Sequence, residues 1–288
     1  TTKAATTGSM VAGAGADAGY YIATLAGAGT DKKFFPANSK LRTVGLQGYF
    51  TQAAGTGGIA AATARHAISV VKTVTGDTAR RTVVDKTKCS NCHEWFEGHG
   101  GNRVYDTQIC VMCHVPGLAT SGRGISDAAL AAYTFSAADT KKLTDWGFNK
   151  TLVNAALKFP VTTNNFKDMI HGIHAGRDRV TPFVDARDRT PSAITLLDMR
   201  RMDFPGVLKN CQTCHAAGTY SGVPLNTLPS TYESIDAAYA FAIAGGTATT
   251  AIAKTALSSV SATDTVTSPF AAACVSCHDG AAAQAHIK

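Results

Sequence analysis

Apolar and polar positions alternate along the early part of the chain. Val44, Leu46, Gly48 and Phe50 fall on every second position with polar or small residues between them, the period of a strand with one covered face. The segment Ala67-Ile68-Ser69-Val70-Val71-Lys72-Thr73-Val74 is rich in branched residues and runs into Thr75-Gly76-Asp77, a turn signal. Glycine-rich stretches at 13 to 19 and 55 to 58 interrupt the pattern. Residues 1–85 are therefore expected to form a small β domain with long loops.

Beyond residue 85 the period changes to that of short helices. One is expected to open at Ser136, with Asp139 three residues on as a capping pair. A second is expected over about 164 to 175, closed by Gly176, and a third over about 232 to 244, closed by Gly245-Gly246. Stretches rich in Pro, Gly and Thr lie between them, so residues 86–288 read as short helices joined by much irregular backbone.

Composition sharpens this picture. The chain has 288 residues, 45% hydrophobic but only 8% aromatic, and Ala, Thr and Gly dominate. That excludes a disordered chain, yet leaves a core thin in large side chains, so another source of apolar mass is expected. The formal charge is +7, but Lys and Arg stand singly or in pairs such as Lys32-Lys33 and Arg200-Arg201. Such scattering argues against a nucleic-acid surface. No apolar run is long enough to span a bilayer, and Thr1-Thr2-Lys3-Ala4 lacks the apolar core of a signal peptide; a mature exported product is expected.

All eight cysteines fall into four Cys-x-x-Cys-His motifs: Cys89 and Cys92 with His93, Cys110 and Cys113 with His114, Cys211 and Cys214 with His215, Cys274 and Cys277 with His278. Two thiols separated by two residues reach the two vinyl groups on a porphyrin edge, and the next imidazole turns under the ring to bind iron. Zinc ribbons and redox dithiols also use Cys-x-x-Cys, but neither needs a His after the second Cys four times over. Four covalently attached haems c are expected, each with a proximal His, and they supply the missing apolar mass. Their eight propionates bring the charge of +7 to roughly −1 with ferrous iron and roughly +3 with ferric. The motifs are separated by 16, 96 and 58 residues, so no repeat of fixed period exists.

Nine histidines minus four proximal ligands leave His66, His99, His171, His174 and His286 for four sixth positions. A lone His is ordinarily a packed or surface residue, but here supply nearly equals demand. His99 sits among Gly98, Gly100 and Gly101, where a porphyrin face can approach backbone; His171 and His174 lie three apart on one side of a short helix. His66 and His286 complete the set, with one imidazole in excess. Met112, Met169, Met199 and Met202 are alternative axial ligands, though packing is the commoner role of Met.

The run from Arg80 to Asp85, the motif at Cys89 to His93, His99 to Arg103, Cys110 to His114, Met169 to Gly176, Phe204-Pro205-Gly206 before Cys211, and Cys274 to Asp279 with His286 together resemble one pentahaem module of the OmcA/MtrC-type multihaem cytochromes. The resemblance covers roughly residues 80 to 286. It implies a multihaem cytochrome c at the cell surface or outside the cell, handing electrons to other cytochromes or to acceptors such as metal oxides. It further implies distal ligation by His99, His171, His174 and His286. Two departures stand out: this chain holds four motifs where that module holds five, and every Cys is used by a motif, leaving none to carry a lipid. A tetrahaem chain of this kind also resembles the secreted cytochromes that polymerise into conductive filaments, where a subunit can donate a His to its neighbour.

With His on both faces of each iron no substrate position is open, so electron transfer without catalysis is expected. The filament subunit leads; a soluble monomeric or complex-bound carrier is the alternative. A multihaem reductase would need a haem without a distal ligand.

Overall fold

The computed structural model describes residues 7–26, 38, 40–115, 134–145, 165–180, 183–190, 193–222, 231–233 and 265–287. They fall into two compact units, one of residues 1–82 with 95–109, the other of residues 83–94 with 110–288. The sequence division at residue 85 assigns 95–109 to the helical part, whereas the structure groups that segment with the β unit.

The first unit is built of two-stranded antiparallel ladders. β1 (Thr7–Ala12) pairs with β2 (Tyr21–Ala26). β3 (Thr43–Leu46) pairs with β6 (Val70–Thr73), and nested within them β4 (Tyr49–Gln52) pairs with β5 (Thr63–His66). The amide of Ala67 donates to Gly48, so the two ladders form one interrupted ribbon. The strand expected from Val44 to Phe50 is thus real but broken at Gln47-Gly48, where the two arms contribute unequal numbers of residues between the ladders.

The open end of the ribbon is tied by an ion pair. Asp77, in the turn after β6, accepts from the Arg42 amide at 2.8 Å, from Nε at 2.8 Å and from Nη2 at 2.7 Å. The short strands β7 (Glu97–Gly98) and β8 (Arg103–Val104) join this unit because Val104 exchanges two hydrogen bonds with Ser69. The Ser69 amide donates to the Val104 carbonyl at 2.9 Å and the Val104 amide to Ser69 Oγ at 3.0 Å. Both residues are sealed, at 1% and 0% exposure, so neither polar group has water to fall back on.

In the second unit, α1 (Lys86–Cys89) starts at Asp85, whose carboxylate caps it by accepting from the Thr87 amide at 3.1 Å. α2 (Thr107–Val111) runs across the boundary into this unit. α3 (Ala137–Asp145) starts as expected: Ser136 Oγ accepts from the Asp139 amide at 3.1 Å and donates to its carboxylate at 2.9 Å. α4 (Phe166–His174) is capped by Asn165 and leaves the helix at Ala175, one residue before Gly176. A Cβ at Gly176 would collide with the Met199 carbonyl, which is why the chain needs glycine there.

β9 (Val184–Thr190) and β10 (Ala193–Asp198) form a hairpin, and β11 (Thr231–Glu233) pairs with β12 (Thr265–Thr267). Tyr232 therefore lies in a strand, not at the start of a helix: the branched and aromatic residues of Thr231-Tyr232 find a partner strand more than 30 residues on, which local pattern does not reveal. The rest of the helix expected to residue 244 lies outside the described residues. α5 (Pro269–Val275) is capped by Ser268, packs against α4, and is followed by α6 (Ala281–Ile287). Among the described residues of this unit the buried apolar side chains are Phe135, Ala175, Phe183, Leu196, Ala271 and Ala272, half of them alanine. Among the described residues no helix is long and apolar enough to cross a membrane.

Candidate cofactor-binding site

All four Cys-x-x-Cys-His motifs adopt one turn. In each, the His amide donates to the carbonyl of the first Cys, at 2.8 Å for His93, 2.9 Å for His114, 2.9 Å for His215 and 2.8 Å for His278. The second Cys donates to the same carbonyl at 3.1 to 3.3 Å. Helical curvature of this kind puts both thiols on one side and carries the imidazole round beneath them. None of the eight cysteines is in a disulfide, and Cys92, Cys113, Cys211 and Cys274 are exposed. Burial pushes the thiols of Cys89, Cys214 and Cys277 up, and for Cys89 the neighbouring Cys214 adds to the effect.

The first and third motifs lie side by side although 117 residues separate His93 from Cys211. Val84 and His215 form an antiparallel bridge, the Asp85 amide donates to Cys214 at 3.0 Å, and the Ala216 amide donates to Val83 at 3.0 Å. Lys88 closes the arrangement. Its ammonium donates to the carbonyls of Gln212 at 3.0 Å and His215 at 2.8 Å.

α4 brings the two expected distal ligands to these motifs. His171 and His174 stand one turn apart, so their imidazoles leave the same side of the helix at different heights. The His174 ring faces His93 with centroids 6.1 Å apart and planes at 85°. The His171 ring faces His215 at 6.0 Å and 21°. Two imidazoles bound to one metal from opposite sides at about 2 Å each hold their centroids roughly 6.3 Å apart. Both pairs match that spacing, so the residues present fit a metal between each pair.

Protonation agrees with ligand duty. His171 is lowered to about 4, chiefly by burial and then by the charges of His215, His174 and Lys167. His215 is lowered by burial and then by Lys88. Each is thus neutral at pH 7, the form that binds metal. The second nitrogens differ: His174 Nδ1 lies 2.9 Å from the Ile170 carbonyl, whereas Nδ1 of His171 and of His215 are buried without a hydrogen-bond partner.

The remaining candidates are placed less closely. His114 packs against Phe166 with centroids 6.3 Å apart, and the Phe166 amide donates to its carbonyl at 3.3 Å. His278 and His286, on α6, are exposed. The last motif is instead anchored by Asp279, which accepts from the Val180 amide at 2.9 Å and pairs with Arg179 at 3.5 Å. Arg179 also donates to the Ser276 carbonyl.

In the first unit, His66 Nδ1 lies 2.7 Å from a Glu97 carboxylate oxygen that also accepts from Trp95 Nε1 at 3.2 Å. His99 is exposed in a left-handed conformation, φ 58°, followed by Gly100 and Gly101 in the same region. A Cβ at Gly101 would run into the His66 ring. Met112, Met169 and Met199 are half-buried, and Met202 is exposed.

Sequence reasoning did not single out Lys88, Arg179 or Asp279. Their signal was position alone: Lys88 immediately precedes one motif and Asp279 immediately follows another.

Compared with known proteins, residues 81–288 match the family of outer membrane cytochromes described as MtrC/MtrF-like, domains II/IV. No curated protein and no solved structure matches the chain. The match spans more than two thirds of the sequence, and the chain belongs to this family. With membership come covalently bound c-type haem, multihaem electron transport, and a place at the cell surface or outside the cell.

Proposed function

From that membership we propose that the chain binds four haems c, one at each motif, and conducts electrons as a bis-histidine tetrahaem protein. The observation that carries this reading is the pair of imidazole couples, His93 with His174 and His215 with His171, at metal-bridging distance. Haem c, once bound, supplies a one-electron iron couple with no proton or group transferred.

The chain's residues do the rest. Cys89 and Cys92, Cys110 and Cys113, Cys211 and Cys214, Cys274 and Cys277 provide the thioether bonds, and the following His of each motif provides the proximal nitrogen. α4, held by the Asn165 cap, positions two distal nitrogens one turn apart, and the bridge from Val84 to His215 keeps the first and third motifs adjacent. His99, His286 and His66 are the imidazoles offered to the second and fourth motifs. Ligation on both sides leaves no room for a substrate, which supports a carrier over a reductase.

Intact mass of the purified protein should exceed the polypeptide by four haems, and its spectrum should be low-spin throughout. Changing His174 to Ala should make one haem high-spin; an unchanged spectrum would overturn the assignment.

We further infer assembly into a homopolymeric conduit with other cytochromes or metal oxides as terminal partners. In its support, Met10, Tyr20, Tyr21, Leu46, Tyr49 and Phe50, among the described residues of the β unit, are all exposed. Electron micrographs at neutral pH should show filaments; uniformly monomeric particles would leave the soluble carrier as the answer.

A further inference from the structure

The Lys88 ammonium is seated on the backbone of the third motif. It binds there at Gln212 and His215, although the residue itself belongs to the turn that leads into the first motif. The Asp85 carboxylate is engaged by Thr87, whose amide and hydroxyl both donate to it. The charged group that bonds to the third motif is therefore the Lys88 ammonium.

Two further features of the same site act in the same direction. A histidine ligand whose Nδ1–H is given to an acceptor becomes more basic and stabilises the oxidised metal. His174 has such an acceptor in Ile170, but His171 and His215 have none. Burial of these two imidazoles adds to this, because a low-dielectric setting disfavours the oxidised iron, which carries one more positive charge.

Resting on the bis-histidine reading above, we propose that the haem bound by Cys211, Cys214, His215 and His171 has a higher potential than the haem bound by Cys89, Cys92, His93 and His174, with Lys88 as the residue that sets the difference. An electron shared between the two adjacent sites then resides mainly at the third motif. The hydrogen bonds of the Lys88 ammonium go to backbone carbonyls of the motif, so it acts as a tuning residue.

The test is a redox titration of the full holoprotein followed by NMR, in which methyl signals are assigned to individual haems. Lys88→Gln keeps a hydrogen-bond donor but removes the charge; Lys88→Arg keeps the charge. A unit charge within about 10 Å of a half-buried site changes an oxidation equilibrium on the order of tenfold.

Lys88→Gln should therefore lower the reduced-to-oxidised ratio of the third haem by about that factor, with smaller changes at the others, and Lys88→Arg should restore it. The proposal is overturned if the third haem titrates below the first in the parent protein, if Lys88→Gln moves all four haems alike, or if Lys88→Arg behaves as Lys88→Gln. A protein with fewer than four haems or with a high-spin parent spectrum would instead refute the bis-histidine reading, so the two failures are told apart before any titration begins.

Discussion

Gly172 lies between His171 and Ile173 on the helix that carries both proposed distal ligands, and replacing it by Ala sets two effects against each other. In a helix interior, Ala is favoured over Gly by about 1 kcal/mol. The new Cβ, however, would stand 2.6 Å from both Cδ2 and Cε2 of Phe183. That is closer than van der Waals contact by roughly 1 Å. Phe183 cannot swing out freely, since it is 7% exposed, and the Arg179 guanidinium stands 5.5 Å from its ring centroid.

Overpacking of this kind costs about 1–3 kcal/mol, more than the helical gain. G172A should thus be destabilised by up to about 2 kcal/mol, measured by guanidinium unfolding of the holoprotein followed by far-UV circular dichroism. Because the strain falls between His171 and His174, the low-spin absorbance of two haems should weaken with it. Trimming the neighbour in G172A/F183L should recover at least half of the lost stability. A G172A protein more stable than its parent would refute the packing argument, since propensity alone would then decide.

Asp279 is 3% exposed at its side chain and Arg179 13%, so Asp279→Asn leaves a buried guanidinium short of its counter-charge and should cost about 2–4 kcal/mol in the same unfolding assay. Arg42 hydrogen bonds hold the Asp77 carboxyl down to about 2. With its folded value below the ordinary one, Asp77 contributes stability that is complete above pH of about 4 and lost as pH falls toward about 2. Hydrogen exchange at the Val74 and Thr78 amides should accelerate over that window, and Asp77→Asn should flatten the dependence.

The motifs were legible because their chemistry is local: five consecutive residues specify the thioethers, the proximal ligand and the turn that joins them. Caps were legible for the same reason, as Ser136 with Asp139 shows. Ligand pairing was not. His171 and His174 occupy equivalent places on one helix, and the first and third motifs they face are brought together by a bridge between Val84 and His215, a contact with no trace in either segment. Tyr232 was misread likewise, its strand being defined by a partner at Val266. Lys88 and Asp279 carry no pattern of their own, and their roles come from the carbonyls and the guanidinium they meet.

The long-range bridge also imposes an order on biogenesis. A chain growing from its N-terminus exposes Cys89, Cys92 and His93 to the attachment machinery 81 residues before His174 exists to complete that site. In the interval His66 has already emerged and His99 and His114 follow within 21 residues, so imidazoles that close shorter loops than His174 are at hand. If haem is attached as the chain emerges, the first motif would hold it without His174 until α4 follows, and the proposed pairing would be completed only late in synthesis.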